Sequence, residues 1–470
     1  MSITAETPPA STERSLARAF YTTAWRWHFY AGLYVAPFLI MLAVTGLMML
    51  WSAVLVGRDG EKLYSVEPAA QTVTVSAQAD AALGAVQGGS FVQYIAPRTA
   101  EQPAVFRVDV GEAATMVAVD PYRGTVLGSW ERQNALYDLA NDIHGTLLIG
   151  VVGDRLIEIA AGFGVVLIIT GLYLWWPRDG RGFAKSLVPQ ISGRGRQFWK
   201  SLHQTIGVYA AAILLVFLVS GLTWAGIWGE RMTQAWSTFP AEKWDNVPLS
   251  DATHASMNHG GTKEVPWTLE QTPMPASGSH AGHAGVPEGQ PVDIDSVAAF
   301  ARASGFDARF QLTVPKGDDG VWTIARDTMS NDSANPLSDR TVHIDRHTGN
   351  VLADVKFADY GAAGKAMAVG IAFHEGDMGI WNIALVTLFC LSVIFLSVSG
   401  IVMWWKRRPS GANRLVAPVV PEKLGLWKTG AFVMLAVSLL FPLTGIVLVT
   451  VLALDMLIVR HVKPLKRALS

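Results

Sequence analysis

Apolar residues along this chain gather into a few long runs separated by polar stretches. The first run, Trp25 to Trp51, carries no charge after Arg26 and is long enough to cross a bilayer as a helix. A second run, Trp199 to Trp228, repeats its pattern. In each, a histidine near the start is followed four residues later by a glycine: His28 with Gly32, and His203 with Gly207. The two runs also end alike, on Thr45-Gly46 and Ser220-Gly221. Runs near 155–176 and 379–405 form another matched pair. They close on Thr170-Gly171 and Ser399-Gly400, each followed by a Trp-Trp pair and a basic residue. A last run, 426–459, is interrupted by Pro442 and reads as one long broken helix. The predicted spans are 25–51, 144–176 with its preceding interfacial segment, 201–228, 374–405 with a similar segment, and 426–459.

The polar stretches 52–143 and 229–373 read as domains rather than linkers. Alternation in Val105-Phe106-Arg107-Val108-Asp109-Val110 has the period of a strand. Thr115 to Leu127 and Thr341 to Leu352 share a strand, an Asp-x-x-x-Gly turn and a second strand, which predicts a hairpin in each. Each domain is followed by a histidine just before the next span, His144-Gly145 and His374-Glu375-Gly376. The chain therefore reads as two copies of one unit: histidine helix, external domain, histidine, helix, Trp-Trp, basic loop. His28 to His203 spans 175 residues and His144 to His374 spans 230, so the second domain holds an insertion of about 55 residues. Gly, Pro, Ser and His place it near 240–290, where composition predicts a flexible spacer.

Composition supports a membrane class. Of 470 residues, 50% are hydrophobic and 16% charged, against about a quarter charged in soluble domains. The net charge of -1 gives no reason to expect nucleic acid. The single cysteine, Cys390, lies in an apolar run and reads as a buried small hydrophobe. The first 20 residues lack the apolar core of a cleavable signal. The tail 1–24 and the connections 177–200 and 406–425 are rich in Arg and Lys, which predicts a cytoplasmic N-terminus and places both long domains outside. The tail 460–470 is also basic and fits that rule less simply.

Orientation puts His28 and His203 at one membrane face, and His144 and His374 at the other. Two neutral imidazoles facing across a bundle are the axial ligands of a six-coordinate haem. Gly32 and Gly207 fall one helical turn on, on the same face, and leave room for a flat macrocycle. The plainer reading stands beside this one: an interfacial histidine is more often a hydrogen-bonded anchor, and matched positions also follow from shared packing at helix starts. The insertion holds a second set, His254, Met257, Met274, His259, His280 and His283, whose ligand types suit copper or another intermediate metal. Spacing there is irregular, and the spacer reading competes. His343 and His347 read as surface residues of the second hairpin. The Trp-Trp pairs read as interface anchors. Arg26 suits either a haem propionate or a lipid phosphate. No phosphate-binding loop, dinucleotide fingerprint or Ser-His-Asp set is visible.

Trp27-His28-Phe-Tyr-Ala-Gly-Leu33, the two Asp-x-x-x-Gly-x-Val-Leu hairpins, His144-Gly-Thr-Leu-Leu-Ile-Gly150 and Thr170-Gly-Leu-Tyr-Leu-Trp-Trp-Pro-Arg178 resemble the PepSY-associated transmembrane family. Its members include PiuB-like iron-regulated membrane proteins and FoxB-type reductases of ferric siderophores. The resemblance covers about residues 20–410. It implies an α-helical integral membrane protein of the bacterial inner membrane, in which a helix–PepSY-like α+β domain–helix unit is duplicated and followed by one C-terminal helix. It further implies a cytochrome with two haem b groups, His28 and His203 holding the inner one and His144 and His374 the outer. Such a protein reduces periplasmic Fe(III) held by a siderophore or other complex, with electrons from a quinol or a cytoplasmic reductase. The competing expectations are a peptidase regulator without enzymatic activity and a metal or siderophore permease. Against the permease, the first four spans show no mid-span charge and no pair of broken helices.

Overall fold

The structure, a computed structural model, describes residues 10–178, 182–233, 247–258, 265–411, 414–418, 427–459 and 461–469. Its helices are α1 (Ala10–Leu55), α2 (Val75–Gly84), α3 (Leu136–Thr146), α4 (Val151–Trp175), α5 (Phe183–Ser186), α6 (Arg196–Leu222), α7 (Ile294–Ala303), α8 (Ala362–Glu375), α9 (Ile380–Trp405), α10 (Trp427–Leu440), α11 (Pro442–Leu454) and α12 (Lys463–Leu469). Its strands are β1 (Ser90–Ile95), β2 (Ala104–Val110), β3 (Ala113–Val119), β4 (Val126–Glu131), β5 (Leu249–Thr253), β6 (Pro273–Pro275), β7 (Gln311–Thr313), β8 (Val321–Arg326), β9 (Arg340–Asp345) and β10 (Val351–Lys356). Two compact units emerge, one of Met1–Val44, Gly145–Glu230 and Leu388–Ser470, the other of Thr45–His144 and Arg231–Thr387.

Among the described residues, five helical stretches are long and apolar enough to cross a membrane: Ala17–Leu55, Val151–Trp175, Arg196–Leu222, Ile380–Trp405 and Pro442–Val459. In the helical unit, small residues let the helices close up, as packing without a hydrophobic drive requires. A Cβ on Gly162 of α4 would fall 1.9 Å from Thr444 Oγ1 of α11, and one on Gly164 would fall 2.9 Å from Leu218 of α6. Ala31, Ala161, Val165, Leu218 and Phe441 share the resulting core. Asp154 and Glu158 sit within the first turns of α4. They accept the backbone N–H groups of Gly226 at 3.1 Å and Ile227 at 3.2 Å, just past the end of α6, and Arg155 bonds Asp154 at 2.8 Å. These charges serve the backbone.

The last apolar run departs from the single helix expected. Phe441 leaves the helical region at φ -129°, ψ 82°, Pro442 starts a new helix, and a Cβ on Gly445 would lie 2.6 Å from Ser438 Cβ. Residues seven apart on a straight helix stand about 10 Å apart along the axis. The run is two helices folded sharply at Phe441.

The second unit is built on one antiparallel sheet in the order β10-β9-β8-β7-β1-β2-β3-β4. The two polar regions were expected as separate domains, yet β1 pairs with β7 through Gln93–Thr313, Tyr94–Leu312 and Ile95–Gln311. Helices α2 and α7 contribute Ala79, Ala82, Val297 and Ala301 to a core shared with Phe106, Val117, Leu312 and Ile324 of the strands and with Phe310 just before β7. Both expected hairpins form. Asp120 Oδ1 accepts the N–H groups of Tyr122 and Arg123 at 2.8 and 3.2 Å, and Asp345 Oδ1 those of His347 and Thr348 at 2.8 and 2.9 Å. Gly124 and Gly349 close these turns at φ +65° and +72°, a region that favours glycine. The described part of the insertion is not a spacer: β5 pairs with β6, and a short 3-10 turn, His254–Met257, follows β5.

A buried ion network also holds this unit. Arg309, 1% exposed, meets Asp59, Asp332 Oδ1 at 2.8 Å and Glu61 at 3.5 Å, while Arg132 meets Asp59 at 3.1 Å. Burial pushes Asp332 up to about 7 and Asp339 to about 8, whereas the adjoining guanidinium groups of Arg132 and Arg309 overcome the same penalty at Asp59 and hold it below the usual range.

Candidate functional site

The first histidine pair forms within the helical unit. His28 of α1 and His203 of α6 face each other with ring centres 6.4 Å apart and planes at 85°. They line a cavity of about 490 Å³, which also takes in Gly32, Gly171, Gly207 and Gly400. Both expected glycines are therefore at the site. A Cβ on Gly32 or Gly207 would meet only a leucine methyl at 3.7 Å, so the space in front of each is open. Arg196, Lys200 and Arg407 supply positive charge to the same cavity, enough for the carboxylates of an amphipathic ligand.

Each ring of this pair is held by a hydroxyl. His28 Nδ1 lies 3.0 Å from Thr170 Oγ1, and His203 Nδ1 lies 2.8 Å from Ser399 Oγ. Thr170 donates its own proton to the Val166 carbonyl at 2.6 Å, and Ser399 donates to Leu396 at 3.0 Å. A hydroxyl has one proton to give. Each histidine must then donate from Nδ1, which leaves Nε2 with its lone pair as the metal-binding nitrogen.

The second pair forms within the sheet-bearing unit. His144, near the end of α3, and His374, at the end of α8, again stand 6.4 Å apart, with planes at 77°. Thr45 Oγ1 lies 2.8 Å from His144 Nδ1, and Gly46 faces the same ring. Gly376 ends α8 in the left-handed conformation at φ +89°, and a Cβ there would strike Leu50. Gly145 faces nothing within 4 Å.

A third histidine pair supplies a comparison inside the same molecule. His254 and His343 have ring centres 5.0 Å apart and Nε2 atoms 2.9 Å apart, a direct hydrogen bond. At 6.4 Å the other two pairs are too wide for that bond. Metal–imidazole bonds of about 2.0 Å, with about 1.1 Å from nitrogen to ring centre, place two rings on opposite sides of one metal about 6.2 Å apart. The wider pairs have close to that spacing.

His343 was expected at the surface and is instead fully buried. Its hairpin packs beneath the ordered insertion, which brings His254 against it. Hydrogen bonding runs from Thr323 Oγ1 to His343 Nδ1 at 3.0 Å, across the two Nε2 atoms, and from His254 Nδ1 to the Thr272 carbonyl at 2.7 Å. Burial lowers His254 to about 4 and His343 well below its ordinary value. The other suggested metal ligands do not join them: Met257 packs with Val265, Leu269 and Met274, His280 and His283 are exposed, and His259 lies outside the described residues. Among the described residues, no group of three or more His, Cys, Asp or Glu side chains could hold a metal ion. His347 is exposed and Cys390 buried, as expected.

The Arg26 guanidinium donates to the Pro418 carbonyl and lies over the Tyr30 ring. The Trp-Trp pairs divide their labour. Trp175 and Trp404 line the first cavity and donate to the carbonyls of Ser186 at 3.0 Å and Leu415 at 2.7 Å, while Trp176 and Trp405 stay exposed as anchors do. The hydroxyl partners Thr170, Ser399 and Thr45 were not singled out from the sequence. Their signal was the recurring Thr/Ser-Gly at the ends of the runs. No curated protein matches the chain. Residues 25–407 match the PepSY-associated TM region, and with most of its length so covered the protein belongs to that family of membrane proteins.

Proposed function

We propose that the protein is a di-haem b-type cytochrome of the bacterial inner membrane, built from a duplicated helix–domain–helix unit. It passes electrons to ferric iron outside, most directly Fe(III) held by a siderophore, so that Fe(II) is released. The observation that carries this reading is the common 6.4 Å spacing of two histidine pairs, against 5.0 Å for the hydrogen-bonded pair. His28 and His203 would hold the inner haem, and His144 and His374 the outer. A bis-imidazole haem, when bound, supplies one-electron transfer. The chain holds the inner imidazoles in one tautomer, while Leu167, Leu214 and Leu396 wall the inner cavity with hydrocarbon. Arg196, Lys200 and Arg407 would receive the inner propionates. Hard oxygen ligands hold Fe(III) more tightly than Fe(II), so one electron is sufficient to loosen a chelate.

The test is a visible spectrum of the detergent-purified full chain, oxidised and dithionite-reduced, with haem stoichiometry. Sharp b-type bands at close to two haems per chain are expected. Colourless protein from haem-replete cells would return the four histidines to a structural role and leave the regulator and permease readings.

A further inference from the structure

We propose that Thr170-Gly171, Ser399-Gly400 and Thr45-Gly46 are orienting clamps. They fix both imidazoles of the first pair and His144 of the second, favour nearly perpendicular rings, and so set the electronic state of the iron. The inference rests on the haem reading above and extends it to residues that never touch the metal.

Each clamp grips one edge of a ring at two points. The hydroxyl meets Nδ1 and so fixes rotation of the ring about its Cβ–Cγ bond. The glycine that follows seats Cε1, because it has no side chain. A Cβ there would lie 3.2 Å from His28 Cε1 at Gly171, 3.8 Å from His203 Cε1 at Gly400, and 3.8 Å from His144 Cε1 at Gly46. Two consecutive residues of a facing helix thus define both the height and the twist of the ring. Thr170 and Ser399 can only accept from their histidines, since their own protons go to the helix carbonyls of Val166 and Leu396. A ring flip would place a carbon against the hydroxyl and lose that bond. In the first pair, where both rings are clamped, the product of these constraints is the 85° angle; in the second, where Thr45-Gly46 grips His144, the planes stand at 77°.

The angle has chemical content. The filled π orbital of an imidazole stands normal to its ring and raises whichever iron d orbital it overlaps. Parallel rings act on the same orbital and split the pair. Perpendicular rings act on different orbitals and leave the pair nearly degenerate, so the unpaired electron of ferric iron keeps a large orbital moment. A neutral hydroxyl also withdraws less proton density from Nδ1 than a carboxylate would, which keeps the ligand an imidazole rather than an imidazolate.

Electron paramagnetic resonance of the oxidised, detergent-purified full chain tests this without any substrate. Wild-type protein should give two strongly anisotropic low-spin signals. Thr170→Val removes the hydroxyl acceptor at nearly constant volume and leaves His28 only the Leu167 carbonyl. It should turn the inner signal rhombic and raise that haem's reduction equilibrium constant up to about tenfold, about 59 mV for one electron. The outer signal should not change, and Thr170→Ser should restore the inner one. Rhombic signals in the wild type would overturn the clamp and leave the cytochrome standing. So would a folded Thr170→Val protein with an unchanged inner signal and midpoint. Absence of haem from the wild type would overturn both.

Discussion

Acidification should loosen the sheet at the His254–His343 pair, by an amount the structure allows to be worked out. His254 binds protons only near pH 4 in the fold but near 6.5 when exposed. Unfolding therefore takes up a proton at any pH between those values, and stability falls as pH drops through 6.5, levelling off below about 4. At about 1.36 kcal/mol per unit, His254 alone accounts for about 3 kcal/mol. His343 is shifted in the same direction and adds to it. Buried carboxyls such as Asp332 and Asp339 are shifted upward and act oppositely, gaining relative stability on acidification. They drop out of a comparison with the double variant His254→Gln, His343→Gln, which keeps hydrogen-bonding groups and removes the titration. The assay is hydrogen exchange by mass spectrometry on peptides covering β8 and β9, corrected for intrinsic exchange, between pH 7 and 4.5. Protection should fall more steeply with acid in the wild type than in the variant. Equal slopes, or wild-type strands that tighten in acid, would refute the argument.

Three further outcomes are expected. In the cytochrome proposed above, Gly171→Val should lower haem content from two per chain toward one, because even a Cβ there sits 3.2 Å from His28 Cε1; full occupancy by pyridine haemochrome assay would contradict this. His144→Ala should abolish the haem proposed at His144 and His374 and spare the one proposed at His28 and His203, read as loss of one midpoint in a redox titration; loss of both, or of neither, would break the assigned pairing. Arg309→Leu should destabilise the sheet-bearing unit by about 3–5 kcal/mol by stranding Asp332 and leaving Asp59 with Arg132 but without its second guanidinium, and Arg309→Lys should restore little of it, for lysine cannot fork between both carboxylates. The measurement is the same exchange protection, followed in β7.

Local pattern carried the spans and the two hairpins into view, because each depends on neighbours in sequence: hydropathy over about twenty residues, or an aspartate that binds N–H groups two and three positions on. Matched positions likewise pointed to His28, His203, His144 and His374. What stayed hidden was non-local. Nothing near Tyr94 announces that its strand will pair with Leu312, and Thr272 gives no sign that it will meet His254. His343 looked exposed because its counterpart in the other hairpin is Ala118, so no pattern reported the ordered insertion that covers it. The hydroxyls of Thr170 and Ser399 were visible as a recurring dipeptide, yet their role depends on which helix faces them. The break at Phe441 was half legible: Pro442 marks the place, but only the close approach of Ser438 and Gly445 shows how far the chain turns.

The joint between β1 and β7 has a consequence for the life of partial chains. Its three residue pairs join two four-stranded halves, and the side-chain amide of Gln93 donates to Gln311 Oε1 at 2.8 Å, both residues buried. A polypeptide ending after the first half would carry an uncovered strand edge with an amide that only a complementary amide satisfies well. Such an edge recruits the nearest strand, whatever its source. Fragments translated separately should find each other through that amide pair and assemble as a split protein. A lone half should instead couple with its own copies, making a symmetric dimer or a precipitate from what the intact chain keeps within itself.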